Sequence, residues 1–296
     1  MKILLTGADG QVGYELWRAL QFNREVIPTT SDGREVDGMT TIKLDLNDPA
    51  DLEQKLENIN ADVICNAAAY TQVDQAETDK DLAFAVNAEA PAIMAKFAKQ
   101  HRALMVHYST DYVFSGEGKV AWRENDPTGP QGVYGESKLA GEQAILASAC
   151  EHMLFRTAWV FAERKQNFLQ TMLRLAASKN ELSVVNDQTG CPTWANTIAL
   201  GTMLALNQPE TGTYHLTSNG STTWAGFARR IFSHAQRLGL IEDKPEVSGI
   251  TTDEYPTAAT RPKNSVLDCQ KFEGTFNVKL PHWQTALQLC MQRMKP

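Results

Sequence analysis

The sequence predicts an α/β protein with a doubly wound parallel sheet and a smaller C-terminal lobe interleaved with that sheet. Short β-rich runs alternate with helical runs through the first half of the chain. Parallel strands are joined by long crossovers, usually helices, so this alternation favours a parallel sheet. A glycine-rich loop separates the first strand from the first helix. The 296 residues suffice for about two domains of roughly 150 residues each.

The predicted elements of the first half follow closely on one another. Strands are predicted over residues 2–5, 25–29, 41–44, 62–66 and 104–109. The run at 62–66 has a continuous apolar centre, which is typical of a strand covered on both faces. Helices are predicted over residues 11–21, 48–56 and 80–100, where apolar residues recur at helical spacing. Pro49 suits the first turn of the second of these helices.

The pattern becomes mixed beyond about Trp159. An amphipathic segment covers 167–177, strands are predicted at 182–185 and 213–216, and helices at 224–238 and 282–294. No Gly/Ser linker divides the chain. We therefore predict a first domain over 1–157, to which strands near 194–217 return, and a second lobe over 158–193 and 218–296.

Composition excludes several classes of protein. The chain is 43% hydrophobic and 21% charged, as ordinary globular proteins are. Its net charge is −7 and it has no dense basic run, so neither nucleic acid nor an anionic membrane is an expected partner. Because no apolar run is long enough for a signal peptide or a spanning helix, we expect a cytoplasmic protein. Small buried hydrophobes, rather than zinc ligands or a redox pair, are expected at Cys65, Cys150, Cys191, Cys269 and Cys290.

The glycine-rich loop has the pattern G-x-x-G-x-x-G, with glycines at Gly7, Gly10 and Gly13. Such glycines let the backbone turn tightly and approach a pyrophosphate, which then lies against the free N–H groups of the helix N-terminus. A glycine-rich turn without a ligand would show the same letters. The strand before it and the helix after it favour a cofactor loop, with Gln11 and Val12 inside it. The sequence therefore predicts a Rossmann-type, dinucleotide-binding domain over 1–157.

The end of the second strand indicates which dinucleotide is bound. Thr30, Ser31 and Arg34 can hydrogen-bond or pair with a 2′-phosphate, whereas an inward Asp32 would oppose it. We therefore expect a preference for NADP(H), with NAD(H) also possible.

Two further stretches are candidates for the cofactor. Asp45 and Leu46 would suit the adenine edge, although a surface aspartate that caps the next helix is nearly as good an interpretation. The second stretch ends the fourth strand and continues beyond it, and consists of Asn66, Ala67, Ala68, Ala69 and Tyr70. Its small residues would allow the backbone to lie along a cofactor. Alternatively, they would allow tight packing against a helix.

Tyr134 and Lys138 form a Y-x-x-x-K pattern. If this stretch is helical, the spacing places phenol and ammonium on one face. A nearby cation favours phenolate, so we expect the pKa of Tyr134 to be lowered towards working pH. Thr110 directly follows a strand, where its hydroxyl can hydrogen-bond a substrate carbonyl. A solvated helix face is the alternative for Y-x-x-x-K alone, but Thr110 and the glycine loop favour catalysis.

These motifs resemble the extended short-chain dehydrogenase/reductase superfamily, and within it the dTDP-4-dehydrorhamnose reductases. The likeness includes the stretches 107–114, 133–142, 155–160, 186–193 and 261–267, so it covers nearly the whole chain. It implies reduction of the C4 ketone of dTDP-4-dehydro-β-L-rhamnose to dTDP-β-L-rhamnose. NADPH would deliver hydride while Tyr134 protonates the oxygen, Thr110 steadies the developing charge and Lys138 tunes the phenol.

The resemblance also assigns residues to ligands. Thr110, Tyr134 and Lys138 would be catalytic, and Thr110, Asp111 and Trp159 would meet the sugar nucleotide. The implied cofactor contacts are Gly10, Gln11, Val12, Asp45, Leu46, Ala68, Ala69, Tyr70, Tyr134 and Lys138. Residues 158–193 and 218–296 would then form the substrate-binding lobe.

Some relatives gather glutamates around Mg²⁺ at a dimer interface. Glu15 matches one of these, but Asn196 stands where a second is expected and nothing acidic follows Glu273. We therefore expect no metal site, and both a monomer and a homodimer stay open.

Alternative functions were compared with the residues of this chain. A sugar-nucleotide dehydratase would need an Asp-Glu pair after the threonine, whereas this chain has Asp111 and Tyr112. A related 4-ketoreductase that makes another 6-deoxyhexose, and a non-catalytic NADP-binding regulatory subunit, remain as alternatives.

Arg261 is a candidate for the diphosphate or else a surface residue. Structural or surface roles, rather than roles as ligands, are expected for the isolated histidines His101, His107 and His152.

Overall fold

The computed structural model describes residues 1–294 and is built around a seven-stranded parallel sheet. Its strands are β1 (Lys2–Thr6), β2 (Glu25–Thr30), β3 (Ile42–Lys43), β4 (Val63–Asn66), β5 (Leu104–Thr110), β6 (His152–Thr157) and β11 (Gly212–His215). Two-stranded sheets are formed by β7 (Val160–Phe161), β8 (Glu181–Val185), β9 (Thr189–Gly190), β10 (Thr193–Trp194), β12 (Thr222–Thr223) and β13 (Glu246–Ile250).

The helices cover the two faces of the sheet and build the rest of the chain. They are α1 (Gln11–Leu20), α2 (Pro49–Ile59), α3 (Lys80–Phe84), α4 (Ala90–His101), α5 (Val133–Ser148), α6 (Phe168–Ala176), α7 (Ala195–Ala205), α8 (Trp224–Leu238), α9 (Gln270–Phe276) and α10 (Trp283–Gln292). Asp48 caps α2 by accepting a hydrogen bond from the Asp51 N–H, and Pro49 occupies the first turn.

The strand order across the sheet is β11-β6-β5-β4-β1-β2-β3. The chain therefore winds outwards in one direction from β1 to β3 and then reverses to β4, β5 and β6. Ligands of open α/β sheets bind at such a switch point, outside the carboxyl ends of the strands. The predicted doubly wound, Rossmann-type fold is confirmed.

Apolar side chains fill both faces of the sheet. One cluster joins β-strand residues to α1 and α7, for example Leu16 and Ile198. The cluster on the opposite face joins the sheet to α2, α4 and α5, for example Leu52, Met94 and Ile145. The N-terminal end of α5 thereby comes to the carboxyl edge of the sheet.

A separate apolar cluster lies among elements after residue 158. It packs α6, α8 and α10 together around Phe227 and Trp283. The chain leaves the main sheet after β6 and returns to it once more, when β11 pairs with β6 in parallel.

The structure differs from the predicted single helix over 80–100. A π-helical turn, Ala85–Glu89, interrupts it between α3 and α4. Pro91 begins the next helix and has no N–H to donate to the carbonyl of Asn87, which removes one regular helical hydrogen bond.

Two findings bear on the sequence-based exclusions. Within residues 1–294, no helix combines the length and the apolar character that crossing a membrane requires. All five cysteines are buried free thiols, as predicted.

Candidate active site

A cavity of about 480 Å³ lies at the carboxyl edge of the parallel sheet. Residues at or just after the ends of β1 to β6 contribute to its lining. It brings together twelve residues that the sequence proposed for the cofactor, namely Gly7, Gly10, Gln11, Val12, Ser31, Asp45, Leu46, Ala67, Ala68, Ala69, Tyr134 and Lys138.

The glycine loop forms the turn that leads into α1. Gly7 has a φ of +64°, in the left-handed region that glycine adopts without strain. A Cβ at Gly13 would lie 2.0 Å from the Gly7 carbonyl oxygen, so only glycine permits this close approach of α1 to the strand end. The loop therefore presents the N-terminus of α1 to the cavity, where its N–H groups favour an anion.

Five other predicted cofactor residues do not line the cavity, namely Gly13, Thr30, Arg34, Asn66 and Tyr70. Gly13 serves the packing of α1. Thr30 is buried, and its hydroxyl accepts the Gly33 N–H at 3.0 Å, which stabilises the turn after β2. Tyr70 donates its phenol hydrogen to Asp79 at 3.0 Å.

Tyr134 and Lys138 both face the cavity from the first turns of α5. The Val133 N–H at the start of this helix donates to Glu77 Oε1 at 3.0 Å. Lys138 is 2% exposed, and its ammonium donates to the Tyr108 carbonyl at 2.6 Å. The predicted helical spacing therefore brings phenol and ammonium to one cavity.

The pKa of Tyr134 differs from the expectation. Burial raises it above its ordinary value, and the nearby Thr110 hydroxyl only partly opposes that shift. Burial also lowers the pKa of Lys138 to about 8, against an opposing effect of Glu142. The prediction of a lowered phenol pKa is wrong for this arrangement, because the loss of hydration dominates and the ammonium is directed to a main-chain carbonyl.

Thr110 and Asp111 lie at the end of β5, buried beside Tyr134. The Thr110 hydroxyl donates to Asp111 Oδ1 at 3.0 Å and accepts the Tyr112 N–H at 3.2 Å. Burial raises the pKa of Asp111 to about 6, although the nearby Ser265 and Thr110 hydroxyls lower it in part. Tyr112 meets the Tyr134 ring edge-on at 5.6 Å between centroids.

Trp159 reaches the same region from the loop after β6. Its ring stacks on Trp224 with centroids 3.5 Å apart, and its Nε1 donates to Ser265 Oγ at 3.2 Å. The Ser265 hydroxyl donates to the Thr189 carbonyl at 3.4 Å, while Asp111 Oδ2 has no hydrogen-bond partner among the described residues. Of the three residues proposed for the substrate, Thr110 and Asp111 are joined by a hydrogen bond and Trp159 bonds Ser265 instead. None of the three lines the cavity of about 480 Å³.

Two buried hydroxyls in the cavity wall fit a polar ligand. Ser109 Oγ and Thr157 Oγ1 have no hydrogen-bond partner among the described residues, and both residues line the cavity. Buried polar groups are nearly always paired, so these hydroxyls are suited to a ligand's polar atoms. Together with the α1 N-terminus, they fit a nicotinamide dinucleotide.

Comparison with known proteins decides the family. The model of the RmlD substrate binding domain matches residues 1–295. The dTDP-4-dehydrorhamnose reductase of Salmonella typhimurium is 42% identical over 299 residues, covering 99% of this chain and 98% of the relative. The chain belongs to the dTDP-4-dehydrorhamnose reductase family.

Solved structures of family members agree with this assignment. A dTDP-4-dehydrorhamnose reductase from Clostridium acetobutylicum is 36% identical, with a TM-score of 0.91 and 100% coverage of both chains. The Bacillus anthracis reductase, solved in complex with NADP, is 31% identical, with a TM-score of 0.90 and 99% coverage of both chains. The resemblance stated from the motifs is confirmed.

Sequence reasoning missed several residues of this reductase-family cavity. Ser109 and Thr157 end adjacent strands, and their positions beside recognised motifs could have signalled them. Asp9 lies within the glycine loop itself. Lys165 and Gln166 also line the cavity, but they come from a distant loop that no local pattern connects to it.

The acidic residues that some family members were expected to use for Mg²⁺ have other partners here. Glu15 Oε2 accepts from Asn196 Nδ2 at 2.6 Å and from Arg293 at 3.3 Å, while Arg18 donates to Glu15 Oε1 at 3.0 Å. Glu273 accepts from the Asn219 side chain at 2.8 Å. Over residues 1–294, no three His, Cys, Asp or Glu side chains cluster so as to hold a metal.

The three histidines that the sequence singled out have different neighbours. His107 is buried, with Nε2 3.4 Å from the Lys138 ammonium, so it is not isolated as the sequence suggested. His101 pairs with Glu57 at 3.4 Å, and His152 Nδ1 lies 2.9 Å from the Cys150 carbonyl oxygen.

Arg261 lines a second cavity of about 740 Å³. It donates to Asp74 Oδ2 at 2.6 Å.

Proposed function

We propose that this chain reduces the C4 ketone of dTDP-4-dehydro-β-L-rhamnose to dTDP-β-L-rhamnose with NADPH. The observation that carries the proposal is that Tyr134 and Lys138 face one dinucleotide-sized cavity, with the Thr110 hydroxyl near the phenol. Membership of the reductase family supplies the substrate class. The product is the activated donor form of rhamnose.

The glycine loop and the wall of the cavity would hold NADPH, which supplies the hydride when bound. The N–H groups at the start of α1 would meet the pyrophosphate. Ser109 and Thr157 would satisfy polar atoms of the ligand, because their hydroxyls have no partner among the described residues. NADP bound to the Bacillus anthracis relative supports this choice of cofactor.

Tyr134 acts as the general acid in this proposal. Its raised pKa keeps the phenol protonated at neutral pH, as a proton donor to the developing alkoxide must be. The nearby Thr110 hydroxyl would hold the sugar oxygen at the same point. Lys138, with a pKa of about 8, is charged below that pH and stabilises negative charge that remains on the phenol after proton transfer.

We propose that residues 158–193 and 218–294, the part of the predicted second lobe that the structure describes, form the lobe that binds the sugar nucleotide. Trp159 and Trp224, which stack on each other, offer apolar faces to a sugar or a thymine ring. Arg261 and Lys263 line the second cavity and would suit the diphosphate.

A cytoplasmic location follows from the same proposal. The substrate and NADPH are both water-soluble cytoplasmic metabolites. All five cysteines are free thiols, as is usual in a reducing compartment.

Product identification tests the proposed function. dTDP-4-dehydro-6-deoxyglucose is supplied with the preceding epimerase, NADPH and this chain, and the product sugar is identified by NMR. We expect dTDP-β-L-rhamnose. A C4 epimer such as the 6-deoxytalose derivative would overturn the substrate assignment, and NADPH binding without turnover would indicate a regulatory subunit.

A further inference from the structure

Four charged residues meet at the mouth of the cofactor cavity, around Asp9. Arg34 Nη2 lies 2.7 Å from Asp9 Oδ2, and Lys165 Nζ lies 3.0 Å from the same oxygen. Asp32 Oδ2 is 3.6 Å from Arg34 Nη1. Both cations therefore converge on one point of the glycine loop.

The position of this point identifies the ligand group that would reach it. Arg34 follows β2, where Rossmann-type proteins place the adenosine ribose and where an arginine accommodates a 2′-phosphate. Asp9, Ser31 and Lys165 line the cavity at this end. Lys165 comes from the loop after β7, far from Arg34 in the sequence. Because both cations contact the same oxygen of Asp9, Lys165 also lies at the ribose position.

The segment that carries Lys165 is held in place over the glycine loop. Asn167 Nδ2 donates to Gln11 Oε1 at 2.9 Å and to the Ala162 carbonyl at 2.9 Å. Lys165 itself has a φ of +60°, a conformation that non-glycine residues rarely adopt without tertiary support. The loop is therefore fixed in the position that directs the ammonium to Asp9.

We propose that Arg34 and Lys165 form the 2′-phosphate site of the cofactor and that Asp9 sets how strongly the chain prefers NADPH to NADH. This rests on the dinucleotide part of the proposed function. Asp9 holds the two cations in position, but its carboxylate competes with the phosphate for them. With Asp32, the cluster has two negative and two positive groups, so it carries no net charge with which to favour the phosphate strongly.

The charge state of Asp9 supports competition at neutral pH. Burial raises the pKa of Asp9, but hydrogen bonds and charges from Lys165 and Arg34 outweigh this effect and hold the pKa below its ordinary value. The carboxylate is therefore ionised whenever the cofactor binds.

Calorimetric binding of adenosine 2′,5′-bisphosphate and adenosine 5′-monophosphate tests the proposal. These probes differ only by the 2′-phosphate, and their binding needs neither sugar nor turnover, so a wrong substrate assignment would not affect the result. Arg34→Ala and Lys165→Ala should each weaken the bisphosphate about 5- to 10-fold, since charge-assisted contacts are about twice as strong as neutral ones. Affinity for the monophosphate should change less than about 2-fold.

Asp9→Asn should act in the opposite direction. It leaves the cluster with a net positive charge, so the ratio of bisphosphate to monophosphate affinity should rise about 3- to 10-fold, and less at high salt. Lys179→Ala and Asp243→Asn remove exposed charges elsewhere and should leave the ratio unchanged. Thermal unfolding checks that each variant is folded.

Two results would overturn the proposal. If Lys165→Ala weakened both probes equally, Lys165 would contact another part of the nucleotide. If Asp9→Asn left the ratio unchanged or lowered it, Asp9 would not compete with the 2′-phosphate.

Discussion

The ammonium of Lys138 is tied to the main chain of Tyr108 by a hydrogen bond of 2.6 Å. This contact joins the helix that carries the proposed acid to the strand that ends at Thr110. It fixes the ammonium beside the cavity, where burial lowers its pKa to about 8. Burial at this position therefore makes the charge of Lys138 sensitive to pH in the range where the enzyme would work.

The pH dependence of turnover should report this lysine. Below about pH 8 Lys138 is protonated, and above it the stabilising charge is lost. We expect kcat/KM to fall as pH rises through about 8, and Lys138→Met to lower it about 10²- to 10³-fold, as loss of one stabilising group typically does. Lys138→Arg keeps the charge at alkaline pH. If kcat/KM of Lys138→Arg still fell at the same pH as in the unmodified chain, the group that titrates there would not be Lys138.

Tyr134→Phe should separate chemistry from cofactor binding. The variant keeps the ring that meets Tyr112 edge-on but lacks the proton. We expect kcat to fall about 10²- to 10⁴-fold, the usual contribution of a positioned acid. The dissociation constant of NADPH, measured by fluorescence, should stay within about 2-fold. Tyr214→Phe, on the far edge strand β11, is the control, and unchanged turnover in Tyr134→Phe would refute the acid role.

Asp111→Asn should make the protein more stable and less active. The pKa of Asp111 is raised to about 6 in the folded chain, so folding becomes less favourable as pH rises from about 4 to 6, and this destabilisation persists at pH 8. Removal of the buried charge should recover on the order of 1 to 3 kcal/mol there. The gain should disappear below about pH 4. Urea unfolding at pH 8 and below about pH 4 measures this gain in the free energy of unfolding. A gain of equal size at the two pH values would contradict the raised pKa of Asp111.

Local patterns predicted much of the fold. The apolar run at 62–66 became the buried strand β4, and the Asp48-Pro49 pair became the start of α2. These features depend on neighbours in the sequence, whose spacing alone selects strand or helix. The glycine loop was predictable for the same reason.

Elements without such a pattern were missed. Most residues of α7 are buried, so its sequence lacks the polar face that reveals helical periodicity. β13 has mostly exposed residues and pairs only with β8.

Tertiary contacts determined the rest of the site. Lys165 joins the cofactor cavity from a remote loop, and the ammonium of Lys138 is directed to the Tyr108 carbonyl. Sequence spacing correctly placed Lys138 on the same helix face as Tyr134. The spacing could not reveal that Tyr134 is buried, and this burial raises the pKa of the phenol.

The buried ion pair between Glu142 and Arg156 provides a test of what holds α5 in place. Arg156 Nη2 lies 2.7 Å and Nε 3.0 Å from the two carboxylate oxygens, and both side chains are at most 6% exposed. Removing one partner leaves an uncompensated buried charge, which costs about 3 to 5 kcal/mol. We therefore expect Glu142→Gln and Arg156→Met each to lower the free energy of unfolding by about that amount in urea.

The double variant and a surface control complete this test. Glu142→Gln combined with Arg156→Met should cost less than the sum of the two single changes, because neither charge is left alone. Arg123→Met breaks an exposed pair with Asp268 at 3.6 Å and should cost at most about 1 kcal/mol. Glu142 also raises the pKa of Lys138, so the alkaline limb of Glu142→Gln should move to lower pH. A loss in Glu142→Gln no larger than in Arg123→Met would show that the pair does not stabilise α5.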